Sequence, residues 1–324
     1  MIKRAAVLFL IFIILLNASG CGGDKKKAGA VAGQLQTRDT DAGRFRAGEI
    51  DGIPIDENTA VITDMVVDVF TLPDVRSERI TQAIYNQPVT ALEEKDGWTR
   101  VAVLDGSRGW VRSKFVDRDI SSIYGGGADS RIVVTSKDKS IYSYPDGGVT
   151  VKDVVMGSEF YSFNSSGDAY EVYLPGNMTG WLKGSGIISL DLNEEIPLTK
   201  KKDFVSTAMK FKGTSYLISG MSSMGMDSSG LVYICARING VDLPRSLEGQ
   251  LSCGSEVRIE DSDEGDLVFT APDGDRNAIS GVGICIGNGS YIYAGKLAGY
   301  VTFGSLKGEN ADGSPAIVRR IFHG

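Results

Sequence analysis

Histidine is almost missing from this chain: there is one, His323, in 324 residues. That scarcity excludes metal sites built from imidazoles, and it deprives any hydrolytic triad of its usual proton acceptor. The four cysteines, Cys21, Cys235, Cys253 and Cys285, never fall into Cys-x-x-Cys spacing, so no thiolate metal site is indicated. No metal and no other cofactor is expected, and the glycine-rich runs read as turns rather than as a phosphate-binding loop. Positive charge is in deficit, with 34 Lys and Arg against 41 Asp and Glu and a net charge of −7. Nucleic acid, which asks for basic patches, is therefore not an expected partner. Long apolar runs are lacking too. The longest, Ala5 to Leu16, falls short of the ~20 residues that a helix needs to span a bilayer.

What is present starts with that run. Lys3 and Arg4 precede it and Asn-Ala-Ser-Gly-Cys21 follows, the layout of an export signal over residues 1–20. Small residues directly before a cysteine resemble a bacterial lipobox, which implies lipid on Cys21 and anchorage to a bacterial membrane, facing the periplasm or the cell exterior. Each buried methylene contributes ~0.8 kcal/mol, so two or three acyl chains hold stably. Residues 21–58 are polar, rich in Gly and Ala, and carry Lys25-Lys26-Lys27, which reads as a flexible tether. Without Cys21 the remaining cysteines are an odd set. One disulfide among them is possible, and its connectivity is open.

From residue 59 to 120 short apolar runs such as Val66-Val67-Asp68-Val69-Phe70 alternate with turn residues and end on Gly109-Trp110-Val111. A second copy over 128–192 ends on Gly180-Trp181-Leu182. The pattern resembles tandem bacterial SH3-like barrels, with Tyr124-Gly-Gly-Gly127 as the link between them. Residues 191–202 form a charged, Pro-containing linker, and a last domain runs over 203–324. There Gly213-Thr-Ser-Tyr-Leu-Ile-Ser-Gly220 leads to Asp227-Ser-Ser-Gly230 and an apolar helical run stopped by Asn239-Gly240. That geometry puts Ser228 at the amino end of a helix, where unpaired amides and the dipole favour negative charge.

The motif, with Leu243-Pro-Arg-Ser246 to Gln250, Glu264-Gly-Asp-Leu-Val-Phe269, Gly281-Val-Gly-Ile-Cys-Ile-Gly-Asn-Gly289 and Ser290-Tyr-Ile-Tyr-Ala294, resembles the NlpC-type cell-wall peptidases. These are papain-like enzymes that cut peptidoglycan stem peptides after gamma-D-glutamate. The resemblance implies an α+β fold: two small SH3-like β-barrels, then a papain-like domain with helices packed on an antiparallel sheet. It also implies where chemistry should sit. The family's Cys, His and second His fall on Ser228, Gly281 and Tyr293. A serine hydroxyl depends wholly on an adjacent base, and Gly281 supplies no side chain. Losing one member of such a triad costs a factor of ~10⁴ to 10⁶. The degenerate positions imply an inactive relative, an envelope lipoprotein that binds stem peptides or an envelope protein. Peptide-reading positions map to Tyr216, Asp227, Ser229 and Ser246, although Asp227 and Ser229 equally suit helix capping and Tyr216 a core. The barrel residues that read the free amino end of the peptide map to Glu78 and Ser107, the latter a departure from Tyr. Two other readings stay open: an active peptidase using Ser228 with an unrecognised base, and a structural lipoprotein with a vestigial cleft.

Overall fold

The two-residue period of the strand turns Val67 and Val69 to one side and Val66, Asp68 and Phe70 to the other, and the two valines join Ala60, Ile62, Val89, Val101 and Val111 in a core. In the computed structural model this core is wrapped by seven strands: β1 (Thr59–Ile62), β2 (Val66–Phe70), β3 (Arg79–Ile84), β4 (Pro88–Lys95), β5 (Trp98–Ala102), β6 (Arg108–Arg112) and β7 (Val116–Asp117). The structure describes residues 49–50, 53–124, 126–308 and 310–322. The expected export signal, the lipid-bearing Cys21, most of the tether and His323 lie outside them. Within the segment read as a tether, Glu49–Ile50 pairs antiparallel with Ile53–Pro54 and Ile55 packs beside Val61 and Ile123. The end of that segment is therefore paired and packed rather than free. Among the described residues no helix is long and apolar enough to cross a membrane.

A second seven-stranded sheet follows: β8 (Ser130–Val134), β9 (Asp138–Tyr144), β10 (Gly147–Val155), β11 (Glu159–Ser166), β12 (Ala169–Leu174), β13 (Met178–Lys183) and β14 (Ile187–Leu190). Strand order in the first sheet is β3-β2-β6-β5-β4-β1-β7, and in the second β10-β9-β13-β12-β11-β8-β14. Adding seven to each label converts one into the other, so the two barrels share a topology. Register agrees in detail. Phe70 pairs with Trp110 and Tyr142 with Trp181. At matching corners Asn86 and Gly157 both take a positive φ, 61° and 89°, and their amides donate to Ile62 O and Val134 O at 2.9 Å each.

The last domain opens with α1 (Lys201–Met209), which begins two residues before the boundary at 203 read from the sequence. A hairpin of β15 (Met221–Ser222) and β16 (Gly225–Met226) leads into α2 (Ser228–Ile238), and α3 (Leu247–Leu251) follows. A six-stranded antiparallel sheet then runs in the order β17-β22-β18-β19-β20-β21. Its members are β17 (Ser255–Val257), β18 (Leu267–Ala271), β19 (Gly281–Gly287), β20 (Ser290–Gly295), β21 (Tyr300–Ser305) and β22 (Ser314–Arg320). The apolar residues of α2 pack on Leu267, Phe269, Val282, Ile284 and Ile292 of this sheet. The same core takes in Val133, Met156 and Leu190 of the second barrel, so no solvent layer separates the two. The segment read as a linker is pinned to α2: Thr199 donates from its amide to Asn239 O at 3.1 Å and from its hydroxyl to Asn239 Oδ1 at 2.6 Å.

Candidate functional site

Asp227 is the N-cap of α2, with φ −93° and ψ 179°, and its Oδ1 accepts the Gly230 amide at 2.7 Å. The same carboxylate accepts the Ser219 amide at 2.9 Å and pairs with the Arg245 guanidinium at 3.0 Å. Arg245 in turn donates to Ser229 Oγ at 2.8 Å and to Gly220 O at 3.1 Å. Only 8% exposed, it ties the Gly-rich loop to the helix start from below. The loop can come that close because residue 230 is glycine: a Cβ there would collide with Gly220 O. The hydroxyl of Ser229 and both oxygens of Asp227 are thus engaged inside the protein. Ser228, one residue into the helix, is half-buried, and among the described residues its hydroxyl has no hydrogen-bond partner.

β19 brings Gly281 alongside. A Cβ built on Gly281 would stand 3.9 Å from Ser228 Oγ and 2.8 Å from Thr270 Oγ1. Position 281 therefore faces the serine hydroxyl, and the residue there carries neither proton donor nor acceptor on a side chain. Tyr293 sits on the neighbouring strand β20, buried against Tyr291, its hydroxyl 3.5 Å from Asp312 Oδ2. Burial, with the Asp312 charge behind it, pushes its phenol up to about 12. It stays neutral near pH 7, where it can donate a hydrogen bond but not take a proton from a serine.

Tyr216 is half-buried against the domain core, bridges to Met226, and has its phenol pushed up by burial, then by Asp227 and Asp312. Ser246 caps the short helix α3, accepting the Gly249 amide at 3.1 Å. Glu78 is exposed in the first barrel, next to Arg79, whose guanidinium donates to Ile218 O at 2.9 Å across the domain boundary. Gln82, on the same strand, accepts the Met221 amide at 3.0 Å and the Ser222 hydroxyl at 3.2 Å. These two barrel residues, with Arg245, hold the loop and hairpin that deliver Ser228. No sequence signal marks Arg79 or Gln82. Arg245 was visible only as the Arg of Leu-Pro-Arg.

The cysteines do not enter the site. Cys235 and Cys285 are buried, Cys253 is half-buried, and all three are free, so the possible disulfide among them is not formed. Cys285 packs with Val268, Tyr291, Tyr293 and Val318 on the sheet face away from α2. No group of three or more His, Cys, Asp or Glu among the described residues is placed to hold a metal ion. What the arrangement offers is a hydroxyl at a helix amino end, facing Gly281, with no base adjoining it among the described residues.

A family model described as NlpC/P60 family matches residues 213–313, and one described as bacterial SH3 domain matches residues 66–117. The chain is 25% identical over 229 residues to a gamma-D-glutamyl-L-lysine dipeptidyl-peptidase of Bacillus cereus, covering 66% of each chain. It is 30% identical over 134 residues to the protein of that name from Bacillus subtilis, covering 40% of this chain and 45% of the relative. The chain thus spans about two thirds of the length of the first and under half of the second. A crystal structure of an NlpC/P60 family protein from Bacillus cereus matches with a TM-score of 0.73 at 22% identity, covering 81% of this chain and 99% of the other. That likeness establishes the fold: SH3-like barrel architecture followed by the NlpC/P60 α+β domain.

Proposed function

Since this chain joins a bacterial SH3 domain at residues 66–117 to an NlpC/P60 domain at 213–313, we propose that it is a cell-envelope protein, anchored through lipid on Cys21, that binds peptidoglycan stem peptides without cleaving them. The observation that carries this reading is the pairing of Ser228 with a glycine: the built Cβ of Gly281 faces Ser228 Oγ at 3.9 Å. A serine with no base beside it is a poor nucleophile at neutral pH. Recognition is supported by the retained walls. Tyr216 keeps a protonated phenol on the loop that leads to Ser228, and the helix start supplies backbone amides that suit a carboxylate such as that of a D-glutamyl residue.

The test uses the purified full chain and defined muropeptides. New primary amines should not rise above the blank, whereas a stem tripeptide titrated by calorimetry should give saturable heat that weakens about tenfold in Tyr216→Ala. Amine release that disappears in Ser228→Ala would overturn the binding-only reading. Absence of heat at millimolar tripeptide would overturn the binding reading.

A further inference from the structure

We propose that the second barrel carries a docking groove for an extended, basic polypeptide segment, on the same sheet face that the first barrel uses to hold the hairpin before Ser228. The duplication of the two barrels supports this groove, whatever the site at Ser228 binds.

With Phe70 and Tyr142 aligned through their Trp partners, Asp68 matches Ser140 and Gln82 matches Asp153. Asp68 pairs across the sheet with Gln82, and Ser140 with Asp153. Each cross-strand pair is joined by a hydrogen bond, Gln82 Nε2 to Asp68 Oδ1 at 3.0 Å and Ser140 Oγ to Asp153 Oδ1 at 2.5 Å. In the first barrel the pair is covered. Gln82 is 3% exposed, and its free oxygen accepts the Met221 amide and the Ser222 hydroxyl of the hairpin. That is recognition of a short extended segment through its backbone. In the second barrel the matching position, Asp153, is exposed, and its Oδ2 has no partner among the described residues.

The uncovered face is a groove of about 430 Å³ lined by Met65, Asp138, Lys139, Ser140, Tyr142 and Asp153. Its single cation is turned aside: Lys139 Nζ donates to Lys183 O and Ser185 O, both at 2.6 Å. Two carboxylates, Asp138 and Asp153, therefore set the sign of the groove. Met65 and Tyr142 provide apolar surface for alternate side chains of a strand. The exchange of Gln82 for its counterpart Asp153 keeps the acceptor and adds a negative charge. The occupant that fits is an extended segment with lysine or arginine at its flanks, presented by another protein.

The probe is a fluorescein-labelled peptide, Lys-Met-Ser-Ser-Met-Lys, which places the Met221–Met224 sequence that the first barrel holds between two lysines. Anisotropy with the full chain should show saturable binding. It should weaken at least tenfold for Glu-Met-Ser-Ser-Met-Glu and at least tenfold in Asp153→Lys, with Asp153→Asn intermediate. Both variants change an exposed side chain, and matched melting curves establish that they fold. No saturable binding of the lysine peptide, equal affinity for the glutamate peptide, or indifference to Asp153→Lys each overturns the proposal. So does displacement of the probe by a stem tripeptide, which would place it at the Ser228 site. A dimer of the full chain that Asp153→Lys dissociates would also overturn it, because the occupant would then be a second copy.

Discussion

Arg245 is the residue whose loss the site should feel most. Its guanidinium sits between Asp227, Ser229 and Gly220, with side-chain exposure of 9% for Arg245 and 18% for Asp227. Arg245→Met removes the countercharge and leaves a largely buried carboxylate, which costs about 3 kcal/mol when one partner of a buried pair is deleted. Ser228→Ala touches no such network and should stay within about 0.5 kcal/mol. Denaturant midpoints of the two variants compare the values directly. The cysteines make a second contrast at this scale. Burial pushes the thiols of Cys235, Cys253 and Cys285 up. A raised value means less thiolate at a given pH, so the onset of labelling moves to higher pH than for free cysteine. Of these three, peptide mapping after reaction with a disulfide reagent should find Cys253 alone modified in the folded protein, at a rate that climbs with pH above about 8.5. Cys235 and Cys285 should react only once the chain is denatured.

Helix α2 is set by its own sequence at both ends, capped by Asp227 and stopped at Asn239-Gly240, but its seat is set by contact with the loop that precedes it. Gly230→Ala tests that seat. The added methyl meets Gly220 O, so the loop must lift, and overpacking of this kind costs about 2–3 kcal/mol. Thermal unfolding should register the loss, whereas an alanine introduced at an exposed helical position should not. The helix and its caps were legible from local pattern, because each depends on residues close together in the chain. The pairing of Ser228 with Gly281 is not a local pattern; only the resemblance of the motif blocks to a family implied it. The partners that hold the site were not legible. Gln82 lies 139 residues from Met221, and Arg79 lies 139 from Ile218. Nothing in the pattern of a barrel strand reports which of its polar residues will meet another domain. The barrel duplication was visible only at its Gly-Trp ends, because the matched corners use different residues, Asn86 and Gly157, for the same positive φ.

At the scale of the whole molecule the described domains meet at Glu159 of the second barrel. Its carboxylate pairs with Arg131 at 2.7 Å and with Arg237, in the last turn of α2, at 2.6 Å. Its backbone oxygen accepts from Asn86 Nδ2 of the first barrel at 2.8 Å. Side-chain exposures of 11–22% put this junction out of bulk solvent. Glu159→Gln should therefore destabilise by about 2–3 kcal/mol, as expected when one member of a buried charge cluster is neutralised. Calorimetry should still show one transition, with amide exchange quickened at the carboxyl end of α2. The grip of Gln82 and Arg79 on the loop before Ser228 has a practical consequence for anyone dissecting the chain. A recombinant fragment cut at residue 203 would carry the entire catalytic-like fold yet leave that loop slack, its clamps discarded with the excised barrels. Affinities measured on such a truncation would report a softened receptor, and weak binding there would say little about the intact molecule.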